Sequence, residues 1–228
     1  MNLPELKIGK LVAQVPIIQG GMAIRLSTAP LAAAVANEGG IGLIAASGMG
    51  LDELRKEIRM ARELTGGKGI IGINAMVAAR QFLDLITTAA EEGIDLIVAG
   101  AGFSRDIFAV GKKYGVEVVP IVSSARLAQT AEKLGASAVV VEGTEAGGHL
   151  GTQQSIKEIL PEVIEAVNIP VIAAGGAIDG NDVAELLKLG ANGVQMGSRF
   201  AASEESNAAP ALKEFYLKMT KEDIVQID

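Results

Sequence analysis

Apolar residues fall along this chain in two alternating rhythms. Short, nearly continuous runs rich in Val and Ile occupy Val15–Gln19, Ile41–Ala45, Ile70–Asn74, Leu96–Gly100, Val116–Val122, Ala138–Gly143, Val171–Gly175 and Gly193–Ser198. Unbroken apolarity over so few residues predicts strands buried on both faces, the condition of a parallel sheet. Between the runs the spacing changes to three and four. Leu51–Leu64 sets Leu54, Ile58, Ala61 and Leu64 on one face and Arg55, Arg59 and Arg62 elsewhere. That pattern predicts an amphipathic helix with a solvated basic face. Asp52 or the loop before it would cap this helix, and Gly66-Gly67 would stop it. Ala79–Glu92 repeats the pattern with Phe82, Leu85, Ile86 and Ala89, and Ser124 opens a further helix that Gly135 closes.

Glycine punctuates the ends of these helices. Gly93, Gly115, Gly135 and Gly190 each follow a helical stretch and lead within a few residues into a strand. A helix C-terminus favours the left-handed backbone that glycine adopts without penalty. The strand–helix unit is about 20 residues long, and eight such units account for most of the chain. The expected fold is therefore α/β, a compact (β/α)8 TIM barrel forming a single domain over residues 1–228. An open doubly wound sheet is the alternative. It usually carries its glycine-rich phosphate loop after the first strand, whereas here the richest glycine segments come late.

Composition narrows the chemistry. Of 228 residues, 49% are hydrophobic and 21% charged, which excludes a disordered chain. Asp and Glu outnumber Lys and Arg by 27 to 20, and aromatics are 3% with no Trp. Neither a nucleic-acid partner nor an anionic membrane surface suits that balance. There is no Cys and one His, so disulfides, thiolate nucleophiles and multi-His metal sites are excluded, and no metal is expected. The opening MNLPELKIGK lacks the apolar stretch of a signal peptide, and runs such as Leu11–Ile24 are too short to span a bilayer. A cytoplasmic protein is expected.

Ligands of parallel α/β folds bind beyond the carboxyl ends of the strands. Gly175-Gly176 and Gly197-Ser198 follow the last two strands. Their amides could approach phosphate oxygens closely, helped by the following helix N-terminus and Arg199, or the glycines could simply make tight turns. Glu142–Gly151 brackets the only His with four glycines, and an imidazole there suits proton transfer near neutral pH. Glu142 and Glu145 could position His149 or bind ligand, and Glu145 could equally be a solvated loop carboxylate. The Asn74 amide could bridge a heterocycle or cap a turn, and Gln19 and Gln195 carry the same ambiguity. Met22, Ala23 and Ile24 could line an apolar wall or fill core.

Together these segments resemble the nitronate monooxygenase (2-nitropropane dioxygenase-like) family, related to the FMN-dependent enoyl-[acyl-carrier-protein] reductase II enzymes. The resemblance runs in order through Pro16–Met22, Gly72–Asn74, the string Glu142-Gly143-Thr144-Glu145-Ala146-Gly147-Gly148-His149-Leu150-Gly151, Ala173–Gly176 and Gln195-Met196-Gly197-Ser198-Arg199-Phe200. It implies a TIM barrel with FMN in its mouth. Gly21, Met22 and Asn74 would contact the flavin ring region, Glu142 and Gly147 would face the cofactor, and Gln195 and Met196 would also border it. Gly175, Gly176, Gly197 and Ser198 would hold the phosphate, and His149 would be the catalytic base. Many relatives carry Gln at the position of Glu142.

Two departures stand out. Pro120–Ser124 lacks the Lys that some nitronate oxidisers place after the fifth strand, and the C-terminal helical segment of the family is absent before the last residue, Asp228. The activity implied is oxidation of small alkyl nitronates with O2. The alternative is an NAD(P)H-dependent enoyl-thioester reductase using the same flavin, and a non-redox phosphate-ligand barrel is a third possibility. The partner expected is a small molecule. Apolar surface left by the missing segment could be covered by a partner subunit in a homo-oligomer.

Overall fold

A computed structural model describes residues 3–22, 24–148, 151–220 and 223. Eight parallel strands close into a barrel. They are β3 (Ile17–Gln19), β4 (Ile41–Ala45), β5 (Ile70–Met76), β6 (Leu96–Gly100), β7 (Glu117–Val122), β8 (Val139–Glu142), β9 (Val171–Ala174) and β10 (Gly193–Met196). Each pairs with the next in sequence, and β10 closes on β3 through Val194–Ile17 and Met196–Gln19. This closure establishes the (β/α)8 TIM barrel and rules out the open sheet. The helices between strands are α1 (Ala29–Asn37), α2 (Leu51–Leu64), α3 (Phe82–Glu91), α4 (Asp106–Tyr114), α5 (Ala125–Leu134), α6 (Ile156–Ala166) and α7 (Gly180–Lys188). After β10 come a single turn, α8 (Ser198–Ala201), and α9 (Pro210–Lys218), which buries no residue and exposes Phe215 and Leu217. No helix among the described residues is long and apolar enough to cross a membrane.

The strand residues divide by alternation into two cores. Leu43, Leu96, Val98, Val119, Val140, Ile172 and Ala174 pack together inside the barrel. Ile71, Ile73, Ile97 and Val118 on one side, and Val139, Val141, Ala173 and Val194 on the other, face the helices. Both sets are apolar because both faces are covered, which is why the strands read as continuous runs. Gly42 shows how closely the outer layers meet: a Cβ there would lie 1.9 Å from the Ala32 carbonyl oxygen of α1.

The helix boundaries follow their punctuation. Ser124 Oγ accepts from Leu127 N at 3.3 Å, and Gly93, Gly115, Gly135 and Gly190 all adopt positive φ at helix ends. Three details correct or resolve the sequence reading. Leu64 is half exposed rather than buried, at the last residue of α2, where its carbonyl meets α1, accepting from Asn37 Nδ2 at 3.3 Å. Of the two caps open for α2, the loop before the helix supplies it and Asp52 does not: the N-cap is Gly50, whose N–H Glu53 receives. The basic face of α2 is not merely solvated. Arg59 grips Glu92 at 2.7 and 2.8 Å, and Arg62 reaches Asp95 and the Gly93 carbonyl, so the face ties α2 to the end of α3.

An element with no counterpart in the sequence reading closes the lower end. β1 (Leu6–Ile8) and β2 (Leu11–Ala13) form an antiparallel hairpin around Gly9-Lys10. Gly9 has φ +54, which suits the first position of a tight hairpin turn. Leu6, Ile8 and Ala13 are buried against the interior residues Ile41, Leu96 and Ala138. A Cβ on Gly193 would meet the Leu6 side chain at 2.8 Å, so glycine there admits the stopper.

Candidate active site

The upper end of the barrel is built differently from its middle. Alternation sends Asn74, Gly100, Glu142, Ala174 and Gln195 inward within two residues of the end of their strands. The neighbours agree: a Cβ on Gly72, two residues before Asn74, would meet Leu43 and Leu96, and one on Gly100 would meet Ile121, all of them interior. Three polar side chains thus stand among residues of one carbon or none, where a filled barrel would carry Val, Ile or Leu. Ala174 pairs with Glu142 on one side and Gln195 on the other, so those two side chains flank it in one row across the sheet.

Gln195 stands out energetically. It is buried, yet its Oε1 finds no hydrogen-bond partner among the described residues. A buried unsatisfied acceptor costs about 1–3 kcal/mol, so the arrangement favours a donor brought by something else. Glu142 is the second anomaly. Burial pushes its carboxyl from an ordinary 4.5 up to about 7, and no cation contributes to the shift. At neutral pH a large share of it is therefore the neutral acid.

The remaining site positions sort clearly. Gly21 lies directly over Asn74, and a Cβ there would sit 2.2 Å from the Asn74 Cβ. Met22 reaches the other side of the opening, where its sulfur would lie 3.9 Å from a Cβ on Gly197. The loop carrying both is held from below by Gln19. Its Nε2 donates to Ser27 Oγ at 2.9 Å, its Oε1 accepts from Leu43 N, and Ser27 Oγ accepts from Met22 N. Gln19 is therefore a buried brace and not a ligand-facing amide. Met196, a residue expected to border the cofactor, turns its side chain into the core between sheet and helices, and its carbonyl accepts from Gly20 N at 2.9 Å. With Gln195 pointing inward, strand alternation leaves its neighbour no other choice. Ile24 is exposed and so does not fill core.

The glycines after β9 make close turns, and the helix that follows them differs electrostatically from expectation. Gly175 and Gly176 both have positive φ, at +108 and +73, and a Cβ on Gly175 would lie 2.8 Å from Ala146 N. Among the described residues, the N–H groups of Gly176, Ala177, Ser198 and Arg199 have no protein acceptor. The N-terminus of α7 offers an anion little, because Asp179 already occupies it, accepting from Asn181 N at 2.8 Å and Asp182 N at 3.0 Å. Glu145 is not a solvated loop carboxylate. It accepts from Ile156 N at 2.9 Å and so pins the loop after β8 to the start of α6. Gly147 and Gly148 are exposed, with nothing within 4 Å of a Cβ on either, so packing against the described residues does not demand glycine at Gly147. His149, Leu150 and Ala23 lie outside the described residues. Ala101, directly after β6, holds φ +52, a left-handed conformation on the rim that no sequence signal announces.

A cavity of about 480 Å³ lies elsewhere, at the lower end between α4 and α5, lined by Phe108, Val116, Val118 and Leu134. Three of its polar side chains are already engaged with one another or the main chain: Lys10 donates to the Gly115 carbonyl and Glu117, and Ser137 donates to Glu117. The upper rim, with an unsatisfied buried acceptor and free amides, is the better candidate. No group of three or more potential metal ligands occurs among the described residues.

Comparison with known proteins identifies the family. The sequence profile of the family described as nitronate monooxygenase matches residues 5–95 and 71–228. A Rhodococcus jostii protein, (3aS,4S,5R,7aS)-5-hydroxy-7a-methyl-1-oxo-octahydro-1H-indene-4-carboxyl-CoA dehydrogenase, is 35% identical over 92% of this chain and 58% of its own length. A probable nitronate monooxygenase of Staphylococcus aureus is 33% identical over 92% of this chain and 71% of its own. Among solved structures, FabK from Thermotoga maritima superposes with a TM-score of 0.87 at 40% identity, covering 91% of this chain and 66% of FabK. A nitroalkane oxidase from Streptomyces ansochromogenes gives 0.81 at 28%, covering 89% and 70%. The chain thus spans 58% of the Rhodococcus relative and about two thirds of the solved ones. It belongs to the nitronate monooxygenase family, whose members are in general flavin-dependent oxidoreductases.

Proposed function

We propose that the barrel mouth binds FMN and that the protein oxidises small alkyl nitronates with O2. The unsatisfied Gln195 Oε1 carries this reading, because it calls for a ligand with a hydrogen-bond donor at the floor of the mouth. The residues present fit a flavin mononucleotide. Asn74, Glu142 and Gln195 offer donors and acceptors to a heterocycle edge, and Gly21 lets the backbone lie close beside Asn74. Free amides at Gly176, Ala177, Ser198 and Arg199 suit a phosphate, and the Arg199 guanidinium is exposed on the same rim. A bound flavin would supply the redox chemistry. The protein's share is to orient the ring, exclude water from the floor and move a proton. His149, on the glycine-rich loop after β8, is the proposed base that takes a proton from the carbon of a neutral nitroalkane.

A second reading, an NAD(P)H-dependent enoyl-thioester reductase, is favoured by one observation: the Rhodococcus relative at 35% identity is named for a CoA thioester. One experiment tests both. Purified protein should be yellow or take up FMN on reconstitution. Anaerobic bleaching by an alkyl nitronate supports the first reading, and bleaching by NAD(P)H alone supports the second. His149→Ala should retain FMN and lower nitroalkane turnover by about 10²–10⁴. A colourless protein that takes up no FMN overturns the flavin reading in either form.

A further inference from the structure

Glu142 poses a question that the flavin reading leaves open, namely in which protonation state it meets the ligand. Its side chain enters the barrel beside Ala174, and Gln195, with its unsatisfied Oε1, enters on the other side of the same residue. No hydrogen bond or ion pair holds the Glu142 carboxyl among the described residues. The interior faces around it are apolar or neutral: Val119 and Ile121 of β7, Ile172 and Ala174 of β9, Gln195 of β10 and Asn74 of β5. Charged side chains near the upper end sit on the loops and helix starts, at Arg80, Arg105, Arg126, Glu145, Asp179 and Arg199. Glu145 is turned to α6, Asp179 to α7, and no charge–charge contact acts on Glu142. His149 follows on the same loop, outside the described residues.

Gln195 Oε1 is the open buried acceptor of this row, and a carboxylate at Glu142 would add only further acceptors beside it. A neutral acid gives one donor beside one acceptor, which matches an edge carrying a carbonyl or ring nitrogen next to an N–H. We propose that Glu142 binds the ligand as the neutral carboxylic acid, donating a hydrogen bond while Gln195 Oε1 accepts one, so that ligand uptake is linked to protonation of Glu142. This rests on the flavin reading and adds to it a proton-dependent affinity. An amide at this position would present the donor at every pH, so Gln removes the dependence while keeping the contact.

The test is the FMN dissociation constant of the apoprotein, read by quenching of flavin fluorescence at pH 6 and pH 9, in the native protein and in Glu142→Gln. If only the acid form binds, the native affinity falls by about a hundredfold over that interval, because the competent fraction falls tenfold per pH unit above 7. Glu142→Gln should show no such fall. Ionisation of the FMN phosphate, His149 and the rim charges acts on both proteins alike and cancels in the comparison. Equal pH profiles in the two proteins overturn the proposal and leave the flavin site standing. Absence of FMN binding in both at either pH removes the flavin reading and the proposal with it. If the variant does not fold, glutamate labelled with 13C at the carboxyl carbon reports in the native protein. One carboxyl should titrate near 7 when free and stay protonated at pH 8 with FMN bound. Ionisation of that carboxyl in the complex refutes the idea.

Discussion

Replacing Glu142 by Gln should make the apoprotein less sensitive to alkaline pH. The carboxyl is raised from 4.5 to about 7 by burial, so the folded chain holds its proton more tightly than the unfolded chain. The sign follows: between those two values the folded state binds more protons, and stability falls as pH rises. The stabilising share is fully present below 4.5 and is lost by the time pH passes about 7. Relative to the fully protonated protein, the loss is about 3 kcal/mol at pH 8 and roughly 1 kcal/mol at pH 5. Glutamine has no proton to lose. Urea unfolding of both apoproteins at the two pH values should show the native chain losing about 2 kcal/mol more than the variant. Other groups titrate over the same interval, but they are common to both chains. Equal losses would mean that the carboxyl is solvated, and the neutral-acid argument would fail at its root.

Two other substitutions probe the mouth and its support. Gly21→Ala puts a methyl 2.2 Å from the Asn74 Cβ, so it should displace that side chain and weaken FMN binding at least tenfold while circular dichroism stays barrel-like; unchanged affinity would place the ligand elsewhere. Gly42→Ala drives its methyl into the Ala32 carbonyl of α1, and a loss of about 2–4 kcal/mol in unfolding free energy is expected, against no loss if α1 slides freely on β4.

Strand number, strand order and barrel closure are legible because the barrel strands are buried on both faces and most of the helices between them run into a glycine. The apolar runs overshoot the strands by one or two residues at Gly143, Gly175 and Ser198, since a turn glycine continues an apolar run without continuing the ladder. Orientation was less legible. The family resemblance puts both Gln195 and Met196 at the cofactor, although adjacent strand residues face opposite ways and a period of two separates them. The role of Glu145 lay out of reach, because its partner is a main-chain N–H eleven residues ahead that no side-chain pattern reveals. Gln19 was ambiguous for the same reason: its partners, Ser27 and the Leu43 amide, come together only in the folded loop. The hairpin was missed even though Leu6, Ile8 and Leu11 alternate around a Gly-Lys turn, because strands of three residues fall below the length at which periodicity persuades.

That hairpin sets the traffic of the molecule. With Leu6 and Ile8 seated beneath the strands, the interior is a blind cup and not a tunnel. Whatever settles on the row formed by Glu142, Ala174 and Gln195 has to arrive before anything that lies above it, and it departs last. A tightly held occupant of the floor becomes in effect part of the wall against which later visitors are selected, and those visitors share a single doorway for entry and exit.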